Sequence, residues 1–342
     1  MSSPLVSVLL PAYNAGAYLR EAVDSIRAQT LADWELIVVD DGSTDDTPAI
    51  LAGYDEPRLI VVRQANAGVS AALNAGLARA RGRYVARQDA DDLSHPERLA
   101  RLTAFLVAHP EIDAVSSAFT AVAPDGTELY TARLMIEPLT ISRFLLAGNC
   151  VFHPGVMIRA AVLRELNGYR VEARHVEDYD LWIRLGAAPR FAALPLSLVR
   201  YRVHPENVSS RHAALMAENT RAVAERAWEQ ASRAPWGMLT GWGEARFAAR
   251  RLREAVAALP DGKLWRAYHL AGWLSLVGQA VRRGKFRLAF RLAVETKGFL
   301  YGDWGAAGAL LSLFWRVRRR ARGWKNIRSE MRDILGGVRR EG

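Results

Sequence analysis

The sequence predicts an α/β fold in which a parallel sheet is covered by helices on both faces. Three short apolar runs, Val6 to Leu10, Trp34 to Val39 and Leu59 to Arg63, have the β-branched and aliphatic composition of strands. The segments between them carry apolar residues at helical spacing. Strands with continuous apolar faces that alternate with helices are typical of a parallel sheet buried on both sides.

The helices of the first hundred residues are predicted from apolar periodicity and from capping residues. They run from Ala17 to Gln29, from a cap at Ser43 or Thr44 to about Gly53, from Val69 to Ala80, and onward from a cap at Ser94 next to Pro96 and Glu97. A fourth strand, Tyr84 to Gln88, precedes the last of these helices. Strand and helix therefore alternate without interruption up to about residue 110.

The pattern changes after residue 110. Ile112 to Val122 and Glu128 to Leu134 are predicted strands joined by a turn at Pro124 to Gly126, and Phe152 to Arg159 is predicted as a further strand. A short helix from Ala160 to Leu166 ends at Asn167 and Gly168, and a helix that begins near Glu177 is anchored by Leu181, Trp182 and Leu185. This second part adds strands to the sheet.

Carboxylates follow two of the predicted strands. Asp40 and Asp41 end one strand, and Asp89, Asp91 and Asp92 end another. Ligands in such sheets gather beyond the carboxyl ends of the strands. Carboxylates about 4 Å apart repel by roughly 1 to 4 kcal/mol, so the second cluster favours a cation, and oxygen ligands suit magnesium or manganese. The alternative for that cluster is a solvated acidic turn that caps the next helix.

Several classes of protein are disfavoured by the motifs. The first strand is not followed by Gly-x-Gly-x-x-Gly, and the sequence contains no Gly-Lys-Ser/Thr loop, which argues against a common dinucleotide fold and a P-loop NTPase. A single cysteine, Cys150, fits a reducing compartment. The N-terminus runs straight into a strand, so we expect no signal peptide and a cytoplasmic location.

The charge is unevenly distributed and indicates two domains. Residues 216–342 hold 25 Lys and Arg against 11 Asp and Glu, a net +14, whereas residues 1–215 hold 21 against 25, a net −4, within the overall +10. Eight of the ten tryptophans also lie beyond residue 216. We therefore predict an α/β domain at 1–212 and a helical extension at 213–342.

Five helices are predicted in the extension, and their role has two alternative interpretations. The helices are Ala217 to Arg233, Glu244 to Ala258, Leu264 to Arg282, Phe286 to Thr296 and about Ala306 to Leu335, with apolar runs too short for the ~20 residues of a membrane span. Trp304, Trp315 and Trp324 alternate with Arg and Lys, as in helices that lie on an anionic membrane surface. Alternatively, they form the core of a packed subdomain. The sequence carries no nucleic-acid-binding signature, and we expect no such partner.

Five segments, in order, resemble the family 2 glycosyltransferases, which have the GT-A fold. They are Val6 to Asn14, Asp40 to Asp45, Asn66 to Gly76, Asp89 to Asp92 and Glu177 to Trp182, within about residues 4–205. The resemblance implies a GT-A fold with a Rossmann-like mixed sheet, a nucleotide-sugar donor, a divalent metal, Mn²⁺ or Mg²⁺, and transfer with inversion at the anomeric carbon.

The resemblance also implies the donor and metal residues. The donor residues are Pro11, Ala12, Tyr13, Asn14, Asp41, Asn66, Gly68, Asn74, Asp89, Ala90 and Asp91. Asp91 is the expected metal ligand, and Asp89 contacts the ribose or the metal through water. His204 is expected to face the diphosphate or the metal, with Arg202 as the alternative group that neutralises a phosphate as a bidentate donor. Asp41 can accept a hydrogen bond from a pyrimidine N3–H, which favours UDP- or dTDP-sugars.

Inversion in one step needs a general base opposite the leaving group, and the resemblance places it at Asp178. Glu177 is expected to position the acceptor or the helix turn, although the two can exchange roles. The structural alternative is that both carboxylates only cap the helix. Core packing is favoured for Trp182, a structural hydrogen bond for His153, and a plain loop position for His175.

The expected acceptor is a hydroxyl of a growing cell-surface glycan or of a lipid-linked saccharide. Lipid-linked acceptors would explain a basic, membrane-facing extension at the inner face of the cytoplasmic membrane. Two rival functions are another nucleotide-diphosphate metal enzyme, such as a nucleotidyltransferase, and an inactive membrane scaffold of the same fold. Retention of both Asp91 and Asp178 argues against the scaffold.

Overall fold

The computed structural model describes residues 3–132, 149–185 and 190–207, together with residues 141 and 145 and single positions between 211 and 226. The predicted helices of the extension lie outside the described residues, apart from those single positions, and the boundary at residue 212 stays a prediction. Within the described part of the chain, no helix has both the length and the apolar character needed to cross a bilayer.

The described strands and helices follow the predicted alternation. The strands are β1 Val6–Ala12, β2 Trp34–Asp40, β3 Leu59–Arg63, β4 Tyr84–Arg87, β5 Leu93–Ser94, β6 Ala114–Val122, β7 Glu128–Ala132, β8 Met157–Arg159 and β9 Phe191–Arg202. The helices are α1 Leu19–Arg27, α2 Thr47–Ala52, α3 Val69–Arg79, α4 Arg98–Ala108, α5 Ala160–Glu165 and α6 Glu177–Leu185. The first four strands and their helices confirm the predicted α/β fold.

These strands form one mixed sheet in the order β3-β2-β1-β4-β8-β6-β9-β5, with β7 paired to β6. The pairs β3–β2, β2–β1 and β1–β4 are parallel, as predicted. β8 runs antiparallel to both β4 and β6, and β6 is parallel to β9. Because β1, β2 and β4 run in the same direction, the loops that follow them meet at one edge of the sheet.

The main core lies between this sheet and its helices. The apolar face predicted for the first helix, at Leu19, Ala22, Val23 and Ile26, is fully buried against the sheet. Fully burying a side chain of the size of Leu or Ile contributes about 1.5 to 3 kcal/mol, so this face fixes α1 on the sheet. The loops after β1 and β2, which hold predicted donor residues, are thereby attached to a packed core.

Two predicted helix caps are wrong. Ser94 lies in β5, where its hydroxyl donates to Gln88 Oε1 at 2.7 Å and accepts from Arg98 Nη1 at 2.6 Å. Neither Ser43 nor Thr44 caps α2: Ser43 accepts a hydrogen bond from the backbone N–H of Asn14 at 2.9 Å, and the hydroxyl of Thr44 lies 3.4 Å from Asn14 Oδ1. Neither α2 nor α4 has a side-chain cap in the structure, because these hydroxyls bond to other groups beside the site.

The strand predictions fail at two prolines. The segment predicted as one strand from Phe152 begins with a 3₁₀ turn, His153–Gly155, because Pro154 has no N–H to donate to a ladder. β9 was not predicted as a strand, since Pro195 interrupts its apolar run. The β6–β9 register shifts after Leu194, so that Pro195 lies in a bulge and the pairing continues beyond it.

A pair of glycine substitutions tests the packing of the loop after β2. Gly42 has φ +79°, and a Cβ there would lie 2.7 Å from the backbone nitrogen of Asn66, so Gly42→Ala should lower the free energy of unfolding by about 1 to 3 kcal/mol. Gly53 has φ −80° and room for a methyl group, so Gly53→Ala should leave stability equal or up to about 1 kcal/mol higher. Urea unfolding measures both, and a Gly42→Ala variant as stable as wild type contradicts the described loop contact.

Candidate functional site

The acidic turn, which we define as Asp89 to Asp92, follows β4 at the edge where the site loops meet. One carboxylate oxygen from each of Asp89, Asp91 and Asp92 lies within 4.8 Å of the other two. The side-chain amide of Gln88 donates to the carbonyls of Asp89 at 3.0 Å and Asp92 at 2.8 Å. The side chain of Gln88 therefore holds the backbone of the turn in a shape that gathers three carboxylates.

Arg98 supports the acidic turn from α4. Its fully buried guanidinium donates to Gln88 Oε1 at 2.7 Å and to the carbonyl of Arg87. Burial lowers the pKa of Arg98 to about 10, which still leaves the group charged at neutral pH. A buried positive charge thus offsets part of the repulsion among the three carboxylates.

Arg202, at the end of β9, closes the other side of the acidic turn. Its backbone N–H donates to Asp92 Oδ1 at 2.9 Å and its Nε to the carbonyl of Asp91 at 3.0 Å. Its Nη2 pairs with Glu21 at 2.8 Å, and the side chain is 2% exposed. The guanidinium is therefore committed to holding the turn.

The carboxylates of the acidic turn differ in their partners. Asp91 Oδ2 accepts hydrogen bonds from His204 Nε2 at 3.0 Å and from Asn207 Nδ2 at 3.3 Å. Asp92 is fully buried, and its Oδ2 has no hydrogen-bond partner among the described residues. Burial, followed by the charges of Asp89 and Asp91, raises the pKa of Asp92 well above its usual range. Such an oxygen favours a proton or a cation.

The loops after β1 and β2 are joined by polar contacts. Asn14, with φ +49°, accepts a hydrogen bond from the N–H of Thr44 at 2.9 Å through Oδ1, and its own N–H donates to Ser43. The N–H of Gly16 donates to Asp45 Oδ2 at 2.8 Å. The two predicted donor loops therefore form one surface, beside which the ring of Tyr13 is 54% exposed.

The structure shows what the carboxylate of Asp41 contacts. It accepts hydrogen bonds from Gln64 Nε2 at 2.7 Å and from the N–H groups of Ala67 and Gly68 at 2.9 and 2.8 Å. These bonds fix the loop that opens α3, in which Asn66 and Gly68 are exposed. Asp41 thus holds the loop in place, and its contact with a donor base stays a prediction.

Asn74, another predicted donor residue, is engaged elsewhere. Its Nδ2 donates to the carbonyl of Tyr169 at 2.7 Å, and its Oδ1 accepts from the N–H of the same residue at 2.8 Å. This double contact joins α3 to the segment that leads into α6. The amide of Asn74 therefore has a structural use that the sequence did not indicate.

Glu177 and Asp178 lie in the first turn of α6. Asp178 accepts a hydrogen bond through Oδ1 from the N–H of Tyr179 at 2.6 Å and one through Oδ2 from Asn149 Nδ2 at 2.7 Å. Glu177 is buried, and its Oε2 has no partner within the described residues. Burial and the neighbouring Asp178 raise the pKa of Glu177 to about 7. Burial also raises the pKa of Asp178.

Arg87, the last residue of β4, connects the two groups of carboxylates. Its guanidinium forms an ion pair with Asp89 and is almost fully buried. Its charge also favours the ionised forms of Glu177 and Asp178, against the larger effect of burial on the pKa of each. We did not single out Arg87 from the sequence, although a charged residue within the apolar strand β4 is a visible signal.

The aromatic and imidazole side chains near α6 are mostly structural. Trp182 is fully buried and contacts the ring of Phe191, as its predicted core packing requires. His153 Nε2 lies 3.0 Å from the hydroxyl of Tyr169, the predicted structural hydrogen bond, and burial lowers the pKa of His153 well below its usual range. His175 stacks on another imidazole, that of His212, with ring centroids 4.1 Å apart.

Known proteins resemble this chain in sequence and in fold. The family model described as Glycosyl transferase family 2 matches residues 7–166. A Bacillus subtilis (strain 168) protein assigned as the glycosyltransferase EpsE is 37% identical over 190 residues, which are 54% of this chain and 67% of that protein. An uncharacterised glycosyltransferase of Haemophilus influenzae is 32% identical over 219 residues, 60% of this chain and 68% of that protein.

Among solved structures, S. aureus TarS 1-349 in complex with UDP-GlcNAc superposes with a TM-score of 0.59 at 19% identity, over 87% of this chain and 93% of that chain. The mixed sheet thus has the GT-A fold. The chain belongs to glycosyltransferase family 2. The predicted family, fold class and enzyme class are confirmed, whereas the roles of single residues stay predictions.

The raised pKa of Glu177 predicts a specific dependence of stability on pH. Because the folded value is about 7 and the ordinary value 4.5, stability falls as pH rises through that interval, in which only the unfolded chain has lost the proton. At pH 8 the free energy of unfolding of Glu177→Gln should therefore exceed that of wild type by about 2 to 3 kcal/mol, and the difference should become smaller towards pH 5. Urea unfolding at both pH values measures it.

The exposed Glu165 supplies the matched control, since Glu165→Gln should change stability little at either pH. Equal stability of Glu177→Gln and wild type at pH 8 would contradict the described burial of the Glu177 carboxylate.

Proposed function

We propose that the protein is a metal-dependent, inverting glycosyltransferase that moves a sugar from a nucleotide-diphosphate donor to a hydroxyl acceptor. The observation that carries the proposal is the presence of two separate clusters of carboxylates in different environments. The acidic turn gathers three carboxylates, with a buried oxygen on Asp92 that has no partner among the residues the structure describes, and the first turn of α6 presents Asp178 beside Glu177. The first group suits a metal and the second suits a base.

The acidic turn fits a hard divalent cation. Three carboxylate oxygens lie within 4.8 Å of one another, and oxygen is the ligand that Mg²⁺ and Mn²⁺ prefer. We assign Asp91 and Asp89 as ligands and add Asp92, whose Oδ2 needs a partner. His204 contacts Asp91 through Nε2 and is assigned to orient that carboxylate or to join the ligand set. When bound, the cation offsets the negative charge that develops on the departing diphosphate.

We assign the donor nucleotide to the loops after β1, β2 and β3. Tyr13, Asn66 and Gly68 are exposed there, and Asn14 joins the first two loops. A hydrogen bond from a pyrimidine N3–H to Asp41 would use a lone pair left over from its three contacts with the loop, and it would favour uridine or thymidine donors. TarS was solved with UDP-GlcNAc, which makes that compound the first donor to test.

We assign Asp178 as the general base. The acceptor oxygen forms a bond with the anomeric carbon while the bond from that carbon to the diphosphate breaks, and Asp178 takes the hydroxyl proton. A single displacement inverts the anomeric configuration. Glu177, with a pKa of about 7, holds a proton part of the time at neutral pH and is assigned to position the acceptor.

The acceptor in this proposal is a growing cell-surface glycan or a lipid-linked saccharide. A basic, Trp-rich extension on a cytoplasmic enzyme would meet such an acceptor at an anionic membrane surface, since Lys and Arg near that surface each contribute about 1 kcal/mol.

A panel of sugar nucleotides tests the donor and metal assignments. UDP-, dTDP-, GDP- and CMP-sugars, each with and without Mn²⁺, are added to the purified protein, and the melting temperature is recorded, because a ligand that binds only the folded state raises it. We expect a Mn²⁺-dependent rise with UDP- or dTDP-sugars that Asp91→Ala removes. A folded protein that shows no shift with any of them would favour the scaffold function.

Substitution of the proposed base separates chemistry from binding. Asp178→Asn should lower transfer by about 10² to 10⁴-fold, the usual contribution of a general base, while the Mn²⁺-dependent donor shift is kept. Asp125→Asn, in the exposed turn between β6 and β7, is the control and should transfer at the wild-type rate. Normal turnover by Asp178→Asn would show that another residue is the base.

A further inference from the structure

We propose that Asn149 is the positioning residue for the general base, holding the carboxylate of Asp178 in place for proton transfer. This proposal rests on the assignment of Asp178 under the proposed function. Asn149 was absent from the residues selected on sequence grounds, because a single asparagine in a loop carries no local signal. The structure brings it to Asp178 from 29 positions away.

The orientation of the Asn149 amide is fixed at both ends. Its Oδ1 accepts a hydrogen bond from the N–H of Val151 at 3.1 Å, so its Nδ2 must be the group that faces Asp178. That Nδ2 donates to Asp178 Oδ2 at 2.7 Å, and Asp178 Oδ1 is turned to the N–H of Tyr179. Each carboxylate oxygen therefore has one donor, and a second lone pair on Oδ2 remains for the acceptor hydroxyl.

The hydrogen bond from Asn149 opposes the effect of burial on the protonation of Asp178. Burial favours the protonated form of Asp178, which cannot act as a base, and a hydrogen-bond donor favours the ionised form. The charged and titratable groups that face Asp178 are Arg87 from β4, Glu177 on α6 and the phenol of Tyr169 before α6. Burial keeps Tyr169 neutral by raising its pKa, so Arg87 and Asn149 favour the anion while Glu177 opposes it.

The segment that carries Asn149 is itself anchored. The hydroxyl of Ser116 on β6 donates to the carbonyl of Phe152 at 2.9 Å, and His153 contacts the hydroxyl of Tyr169. Tyr169 is in turn clamped by Asn74 on α3. Asn149 is therefore placed by a fixed part of the sheet and its neighbours, as a positioning residue requires.

The first test measures the ionisation of Asp178 directly and needs no substrate. The full chain is labelled with aspartate carrying ¹³C at the side-chain carboxyl, its carboxyl signals are titrated by NMR, and the Asp178 signal is identified by its loss in Asp178→Asn. In Asn149→Ala the titration midpoint of Asp178 should rise by about one pH unit, the effect of losing one hydrogen bond to the charged form.

Two further variants make the result specific. Asn149→Asp, which places a second carboxyl group beside Asp178, should raise the midpoint at least as far, because like charges disfavour ionisation. Ser116→Ala is the matched control: it removes one bond that anchors the segment but keeps Asn149 and its amide, so the midpoint should rise clearly less than in Asn149→Ala. Unchanged midpoints in both Asn149 variants, or an equal rise in Ser116→Ala, would overturn the proposal.

The second test measures turnover across pH with the sugar nucleotide that gives the largest shift in the panel. Asn149→Ala should lower kcat about tenfold near neutral pH, leave the donor KM within about twofold, and move the acidic limb of the kcat profile upward. Loss of kcat in Asp178→Asn without these effects in Asn149→Ala would overturn the role of Asn149 alone. Normal transfer by Asp178→Asn would overturn both assignments.

Discussion

The mutual repulsion of three carboxylates at the end of one strand is the constraint on which the site depends. Without compensation, Asp89, Asp91 and Asp92 would separate or take up protons. The protein offsets the repulsion with the buried positive charges of Arg87 on β4 and Arg98 on α4, and the backbone N–H of Arg202 on β9 donates a hydrogen bond to Asp92. It leaves one buried oxygen of Asp92 without a partner among the described residues, and that unsatisfied oxygen is what a bound cation would stabilise.

Other polar residues of this site are likewise used to hold its loops in place. Ser94 serves Gln88 and Arg98 beneath the acidic turn instead of capping α4, and Asp41 uses its carboxylate to hold the loop before α3. Each such contact satisfies a buried group whose exposure to water is lost on folding. The loops of the site are thus held in place by contacts within the chain.

The sequence predicted the half of the fold in which local and global preferences agree. β1 to β4 are apolar runs with helical segments between them, and the acidic turn is visible as three Asp residues in four positions. β9 was not predicted, and Pro195 interrupts its apolar residues. In the structure a bulge at Pro195 allows the pairing with β6 to continue beyond it. Asn149 and the use of Asn74 could not be predicted, since their partners lie far away in sequence and are brought near only by packing.

The central claim is that the acidic turn holds a divalent cation, and titration with Mn²⁺ followed by electron paramagnetic resonance tests it most directly. In the presence of UDP, the wild-type chain should remove about one equivalent of Mn²⁺ from the free signal, as expected for a site built from carboxylate oxygens. Asp92→Asn keeps the size of the side chain and removes the negative charge, together with the oxygen that has no partner among the described residues, so it should weaken that binding at least tenfold. Equal binding by wild type, Asp91→Asn and Asp92→Asn would contradict the account.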